Sequence, residues 1–318
     1  MHPIVISTGD PAGIGPEVTL KAINALHDHP PIIITIHNET LNDPYYKSYI
    51  NNFQPFNPSK LSKNCVYYSL IDHDASIIKK SHQKDNAIIA HQCIMDALNI
   101  IKENNYQNLV TAPISKEGLL NANIPFTGHT SLLQSVFNIN DASMAFYSET
   151  LNIILATIHI PLSEVEKNLS EEVLNITIKN AHIFAQNIGI NQPKIAIAGL
   201  NPHAGENGQF GSFENDILIP LINRHSSNSY TLAGPISPDI VFKQALDGEA
   251  DIVIALYHDQ GLIPLKLLSF DSAVNVTIGL PICRTSPDHG TAFDIAFQNK
   301  ANHQSMLSAI NYCIQFNQ

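Results

Sequence analysis

The stretch DIVIALYHDQGLIPLK, Asp251 to Lys266, joins a short apolar run to an abrupt polar cluster. Ile252, Val253, Ile254, Ala255 and Leu256 are too few for most helices, and β-branched enough to predict a strand buried on both faces. In open parallel sheets, ligands sit just beyond the carboxyl ends of such strands. At that end His258 is a candidate metal ligand, Asp259 a candidate proton carrier or orienting partner, and Gly261 a place where backbone can approach a ligand closely. A lone His-Asp pair fits an ordinary turn better than a site, so other segments must decide its meaning.

Similar junctions recur along the chain. Ile153 to Ile158 reads as a strand that runs into His159-Ile160-Pro161-Leu162, and Lys194 to Leu200 reads as another that runs into Asn201-Pro202-His203. Three histidines at three strand ends suit a catalytic metal with a position left for substrate, although spacing alone is equally consistent with structural histidines. The opening PIVISTGDPAGIGPEVTLKAINAL predicts a strand over Ile4 to Ser7, a glycine-rich turn, and a helix with Pro16 in its first turn. Its glycines match neither the dinucleotide nor the Walker spacing, so a phosphate cradle and a merely tight turn both remain open and no cofactor-binding residue is assigned.

After a helix over Asp85 to Glu103 and a strand over Asn108 to Thr111, TAPISKEGL places Ser115 to cap a short helix, with Lys116 at the same strand mouth. Gly128-His129-Thr130 then leads into another apolar helix. Ala273 to Ile278 reads as a strand, and PICRTSPDHGTAFDIAF as a turn carrying Arg284, Asp288, His289 and Gly290 before a helix over Thr291 to Phe297. GPISPD reads as a proline-punctuated turn before a helix over Asp239 to Leu246.

Composition narrows the class. A chain of 318 residues, 44% hydrophobic, is enough for two domains with substantial cores. A net charge of −11 argues against nucleic acid or an anionic membrane as partner, and no run approaches the length of a membrane span. Cys65, Cys93, Cys283 and Cys313 show no CxxC spacing, which fits a reducing cytoplasm better than a disulfide framework. Of 17 basic residues only Arg224 and Arg284 are arginine, so Arg284 in an apolar, proline-punctuated segment stands out. With Lys116, Lys266, His129 and Thr130 it can hold a phosphate or carboxylate through charge-assisted hydrogen bonds.

Together, TGDPAGIGPE, TAPISKEGL, Gly128-His129-Thr130, HIPL, LNPHAGENGQFG, GPISPD, YHDQGLIPLK, NVTIGLP and RTSPDHGTAFDIA resemble the 4-hydroxythreonine-4-phosphate dehydrogenase family along the whole chain. The resemblance implies an α/β fold of two domains with a cleft between them, like isocitrate and isopropylmalate dehydrogenases. The expected division is 1–130 with 275–318, and 131–274. It implies His159, His203 and His258 as ligands of one divalent metal, zinc, magnesium or cobalt. His129, Thr130, Lys266, Asn275 and Arg284 are the implied substrate contacts, with Lys266 and Asp259 the catalytic candidates. A homodimer is implied, with the metal site completed across its interface and His258 serving the neighbouring subunit's site. The implied reaction oxidises 4-phosphooxy-L-threonine with NAD or NADP and is followed by loss of carbon dioxide. Ser131 stands where the family commonly has glutamate. Related dehydrogenases of threonate 4-phosphate share most of these motifs, and a three-histidine zinc hydrolase or a non-catalytic metal-stabilised binding protein is the reading from other classes.

Overall fold

A computed structural model describes residues 2–71, 73, 74, 76–125, 128–225 and 227–316. The chain divides into two compact units, Met1–Asn138 with Leu280–Gln318, and Ile139–Gly279. Both mix helices and strands, the α/β class expected from the sequence. Among the described residues no helix is long and apolar enough to cross a membrane.

The first unit holds β1 (Ile4–Ser7), β2 (Ile32–His37), β3 (Gln54–Pro55), β4 (Val66–Ile71), β5 (Asn108–Thr111) and, from the returning chain, β12 (Cys283–Pro287). They lie in the order β3-β4-β2-β1-β5-β12, every neighbouring pair parallel. Ile4, Val5, Ile6, Ile32, Ile33 and Ile34 have no exposed surface, as expected for strands covered on both faces. The chain moves outward from β1 in one direction through β2 and β4, and in the other through β5. The glycine-rich turn after β1 and the loop after β5 therefore meet at the switch point of the sheet, where ligands collect in such folds. At Gly9, φ is +73° and an added Cβ would lie 2.4 Å from Pro113 O, so this glycine serves the contact between the two loops.

The second unit contains β6 (Ser143–Tyr147), β7 (Ile153–Leu155), β8 (Lys194–Ala198), β9 (Thr231–Ile236), β10 (Ile252–Ala255) and β11 (Val274–Ile278). Their order is β11-β6-β7-β10-β8-β9. β7, β10, β8 and β9 run parallel, while β6 pairs antiparallel with both β11 and β7. β10 is fully buried, and its core includes Ile153, Leu155, Ala196, Val253 and Leu262.

Several local expectations change. β7 ends at Leu155, so His159 sits on the loop beyond it. GPI of Gly234 to Ile236 ends β9 where a turn was expected, and the helix after it begins at Val241. Arg284 lies within β12 and not on a turn. Residues 293–299 form turns where a helix was expected, with Ala292, Phe297 and Asn299 at φ of 40°, 59° and 59° breaking the helical path. His258 opens the helix His258–Ser269 directly. Within that helix, Gly261 faces the sheet: an added Cβ would lie 2.9 Å from Ile153 Cγ2, 3.0 Å from Ala255 Cβ and 3.0 Å from Leu155 Cδ2. Gly261 thus serves helix-on-sheet packing, in place of the ligand approach expected for it. Gly261→Ala should lower the free energy of unfolding by about 1–3 kcal/mol through overpacking, measured by denaturant titration.

Candidate active site

The strand order of the second unit brings the candidate metal ligands to one edge. β7, β10 and β8 are adjacent and parallel, and His159, His258 and His203 follow their last residues, Leu155, Ala255 and Ala198. Hydrogen bonds stitch these ends together. Ala156 N donates to Ala255 O at 2.9 Å, and Thr157 donates to Leu256 O from its N at 3.2 Å and from Oγ1 at 2.7 Å. The buried Gln260 joins the next pair: its Oε1 accepts from Leu256 N at 2.6 Å while its Nε2 donates to Gly199 O at 2.7 Å.

The stitched ends set the histidines. The rings of His159 and His258 have centroids 5.5 Å apart. Two imidazoles bound through nitrogen to one tetrahedral ion would have ring centres about 5 Å apart, so this pair fits two ligands of a divalent metal. His258 Nδ1 lies 2.7 Å from Asp259 Oδ1. A carboxylate can only accept there, which places the proton on Nδ1 and turns Nε2 outward, the arrangement commonly found around metal-ligating histidines. Both rings line a cavity of about 650 Å³ with Asp239, Asp259 and Gln260.

His203 lies apart from this pair. It lines a second cavity with Ala204, Glu206, Asn207 and Pro235. Among the described residues, no three His, Cys, Asp or Glu side chains of the chain gather at one point. His203 also has unusual backbone. Residues 203–207 have φ of 51°, 51°, 79°, 41° and 56°, and Gly208 continues at 92°, a left-handed turn that residues with a Cβ resist. Asp239 connects the two regions electrostatically: its carboxyl titrates below the usual range, mainly through the Ser237 hydroxyl and, more weakly, through His203.

Of the remaining candidates in this unit, Lys266 is partly buried on the helix His258–Ser269, with Nζ 5.9 Å from the centre of the Phe270 ring. Asn275 is on β11, and its Oδ1 is buried without a hydrogen-bond partner among the described residues. An acceptor in that state is suited to a donor from a ligand.

In the first unit, Arg284 pairs in register with Leu109, but its side chain runs along the sheet until Nη2 donates to Thr111 Oγ1 at 2.7 Å, at the carboxyl end of β5. Arg284 is 3% exposed, and burial pushes its pKa down to about 9, which still leaves the guanidinium charged at neutral pH. His129 and Thr130 open the helix His129–Phe137. Burial, aided by the positive fields of Arg284 and Lys116, holds His129 well below the ordinary histidine range, so its ring is neutral at pH 7. Ser131 donates from Oγ to Gly128 O at 2.9 Å, a bond within the start of this helix. Ser115 caps the helix Lys116–Asn121 as expected, accepting from Gly118 N at 3.0 Å, and His82 Nδ1 lies 2.7 Å from the same hydroxyl.

Four residues in these surroundings escaped the sequence reading. Asp10, Asp239 and Gln260 lie inside the motif segments, but nothing in their spacing distinguishes them. Glu214 lies outside every such segment. Asp10 has no exposed surface; burial is the main cause that raises its carboxyl to about 6, against the lowering effect of backbone N–H groups such as Ala12 N.

Comparison with known proteins defines the class. A family model described as "Pyridoxal phosphate biosynthetic protein PdxA" matches residues 28–313. D-threonate 4-phosphate dehydrogenase of Salmonella typhimurium is 38% identical over 322 residues, covering 98% of each chain. 4-Hydroxythreonine-4-phosphate dehydrogenase of Sulfurihydrogenibium sp. is 35% identical, covering 99% of this chain and 98% of that one. The crystal structure of 4-hydroxythreonine-4-phosphate dehydrogenase from Klebsiella pneumoniae matches with a TM-score of 0.87 at 36% identity, over 100% of this chain and 98% of that one. The protein is an oxidoreductase of the dehydrogenase type. It belongs to the PdxA family of pyridoxal phosphate biosynthetic proteins, which leaves the hydrolase and the non-catalytic readings without support.

The half-buried His129 carries a pH signature. Its native pKa is depressed below the 6.5 of an unperturbed histidine, so its contribution to stability is present above pH 6.5 and is lost as pH falls below that value and the unfolded chain takes up the proton first. The stability of the unmodified protein relative to His129→Gln should therefore decline on acidification from pH 7 to pH 5, by about 1.4 kcal/mol per pH unit at most, read from paired urea titrations.

Proposed function

We propose that the protein catalyses the nicotinamide-dependent oxidation of 4-phosphooxy-L-threonine at a divalent metal. The product is 2-amino-3-oxo-4-phosphooxybutanoate, which decarboxylates to 3-amino-2-oxopropyl phosphate in pyridoxine 5'-phosphate synthesis. The observation that carries this reading is the His159–His258 pair with Asp259 on the far nitrogen of His258. His159, His203 and His258 would hold the metal, and an all-imidazole donor set favours zinc or cobalt over magnesium. A divalent ion bound there supplies polarisation of the substrate's hydroxyl and carbonyl oxygens.

The chain's own groups account for the rest. Arg284, fixed by Thr111 and charged, binds an anionic substrate group with two parallel donors, and Lys266 binds another as a point charge. Neutral His129 offers a hydrogen bond without adding a further positive charge, while Thr130 and the unpaired Oδ1 of Asn275 orient the substrate's polar groups. Asp259 orients His258 and is the nearest carboxylate to receive a proton at that end of the site.

A second reading has a specific observation behind it. Threonate 4-phosphate carries a hydroxyl where 4-phosphooxy-L-threonine carries an amine, but shares its carboxylate, secondary alcohol and phosphate. The cationic residues above would hold either. The relative at 38% identity is named for D-threonate 4-phosphate, and Ser131 gives no carboxylate to receive an amine. Assayed side by side with NAD, NADP and added metal, 4-phosphooxy-L-threonine should give the faster reduction, and chelator should abolish it. Preference for threonate 4-phosphate would replace the first reading with the second, and inactivity on both would remove both. Lys266→Ala should lose at least about 100-fold in turnover with its metal content unchanged.

The homodimer belongs to the same proposal. Around the His159–His258 cavity, Leu162, Ile263 and Leu267 are 71%, 60% and 81% exposed, an apolar surface suited to a second copy. If the metal site is completed across that interface, so that the His203 and His258 of one site come from different subunits, mixing the inactive variants His203→Ala and His258→Ala should restore about a quarter of the sites, because each mixed dimer rebuilds one. No recovery after subunit exchange would place all three ligands in one chain.

A further inference from the structure

We infer that Glu214 is a positioning residue that holds His203 in its left-handed turn and thereby sets the metal affinity of the site; the inference rests on the three-histidine reading above. Glu214 is 1% exposed, so its carboxylate is removed from water and must be satisfied by the protein. Its Oε1 accepts from Leu200 N at 2.9 Å and from Asn201 N at 2.7 Å, and its Oε2 accepts from Asn201 Nδ2 at 3.0 Å. All three donors belong to the two residues that leave β8 and enter the turn.

The same carboxylate supports the turn from beneath. An added Cβ on Gly205 would lie 2.7 Å from Glu214 Oε2, so the backbone of the turn sits directly on the carboxylate. The turn closes on its other bonds: Ala204 N donates to Asn201 O at 3.1 Å and Phe210 N to Gly205 O at 3.2 Å. Asn201 is fixed in turn, since its Nδ2 would lie 2.8 Å from a Cβ on Gly211. Gln260 anchors Gly199 O, at the base of the turn, to the β10 end that leads to His258.

His203, Ala204, Glu206 and Asn207 all hold a backbone conformation that their side chains disfavour. A strained turn of this kind persists only where its surroundings over-determine it. Glu214 supplies that determination from one residue. Without it, Leu200 N and Asn201 N lose their acceptor, the turn is free to relax toward ordinary backbone angles, and the His203 ring leaves its place.

The test uses the full-length protein, stripped of metal and titrated with cobalt(II), whose visible absorption reports ligand number and geometry. His203→Ala is the benchmark. Glu214→Ala should weaken cobalt binding by about 10- to 100-fold, the usual cost of removing a group that orients a ligand, and should change the visible spectrum in the same direction as the benchmark. Amide hydrogen exchange should accelerate over 199–211. Glu214→Gln, which keeps an oxygen for Leu200 N and Asn201 N, should recover most of the affinity. If Glu214→Ala does not fold, Gly205→Ala carries the test, because its added methyl displaces the carboxylate from under the turn; it too should weaken cobalt binding. Wild-type cobalt affinity and spectrum in these variants, with binding lost in His203→Ala, would overturn the role of Glu214 alone. Wild-type binding in His203→Ala would remove the three-histidine reading itself, and this inference with it.

Discussion

Gln260 accepts from one strand end and donates to the next, so that the loops leaving β10 and β8 start from fixed points. Thr157 does the same between β7 and β10. Parallel strands stand about 4.8 Å apart, and without such ties each loop would choose its own direction on leaving the sheet. With them, two histidines about a hundred residues apart in sequence meet ring to ring. The candidate metal centre depends on this stitching more than on the histidines' own surroundings, since His159 is exposed and His258 only partly buried.

The two units solve different electrostatic problems. In the second, imidazoles are brought together with carboxylates, Asp259 beside His258 and Asp239 in the same cavity, an arrangement that welcomes a cation. In the first, Arg284, Lys116 and a histidine held neutral stand near the mouth of β5, an arrangement that welcomes an anion. The protein's net charge of −11 makes such a local concentration of positive charge necessary for a phosphorylated substrate. The neutrality of His129 follows from the same economy: a third full charge in a buried setting beside Arg284 would cost more than it contributes.

Backbone restraint accompanies both sites. Gly9 and Gly261 are required because other atoms occupy the space of their missing side chains. The turn at His203 goes further, with four non-glycine residues in left-handed conformation supported on one buried carboxylate. Strain of this kind concentrates where function needs a side chain in a place that relaxed backbone would not put it.

The sequence by itself determined where several buried strands begin. The apolar runs at Ile4, Asn108, Lys194 and Ile252 open strands as read, and His203 and His258 follow the last two, because burial on both faces leaves a signature in composition. Motifs along the whole chain identified the family. Tertiary structure alone decided who meets whom: that His258 adjoins His159 while His203 stands apart, that Arg284 reaches Thr111 from within β12, and that Glu214 supports the turn of His203. Gly261 shows the limit most directly, since a glycine for ligand approach and a glycine for helix packing are the same letter. Strand order, register and cross-strand hydrogen bonds join residues far apart in the chain, and no local pattern records such pairings.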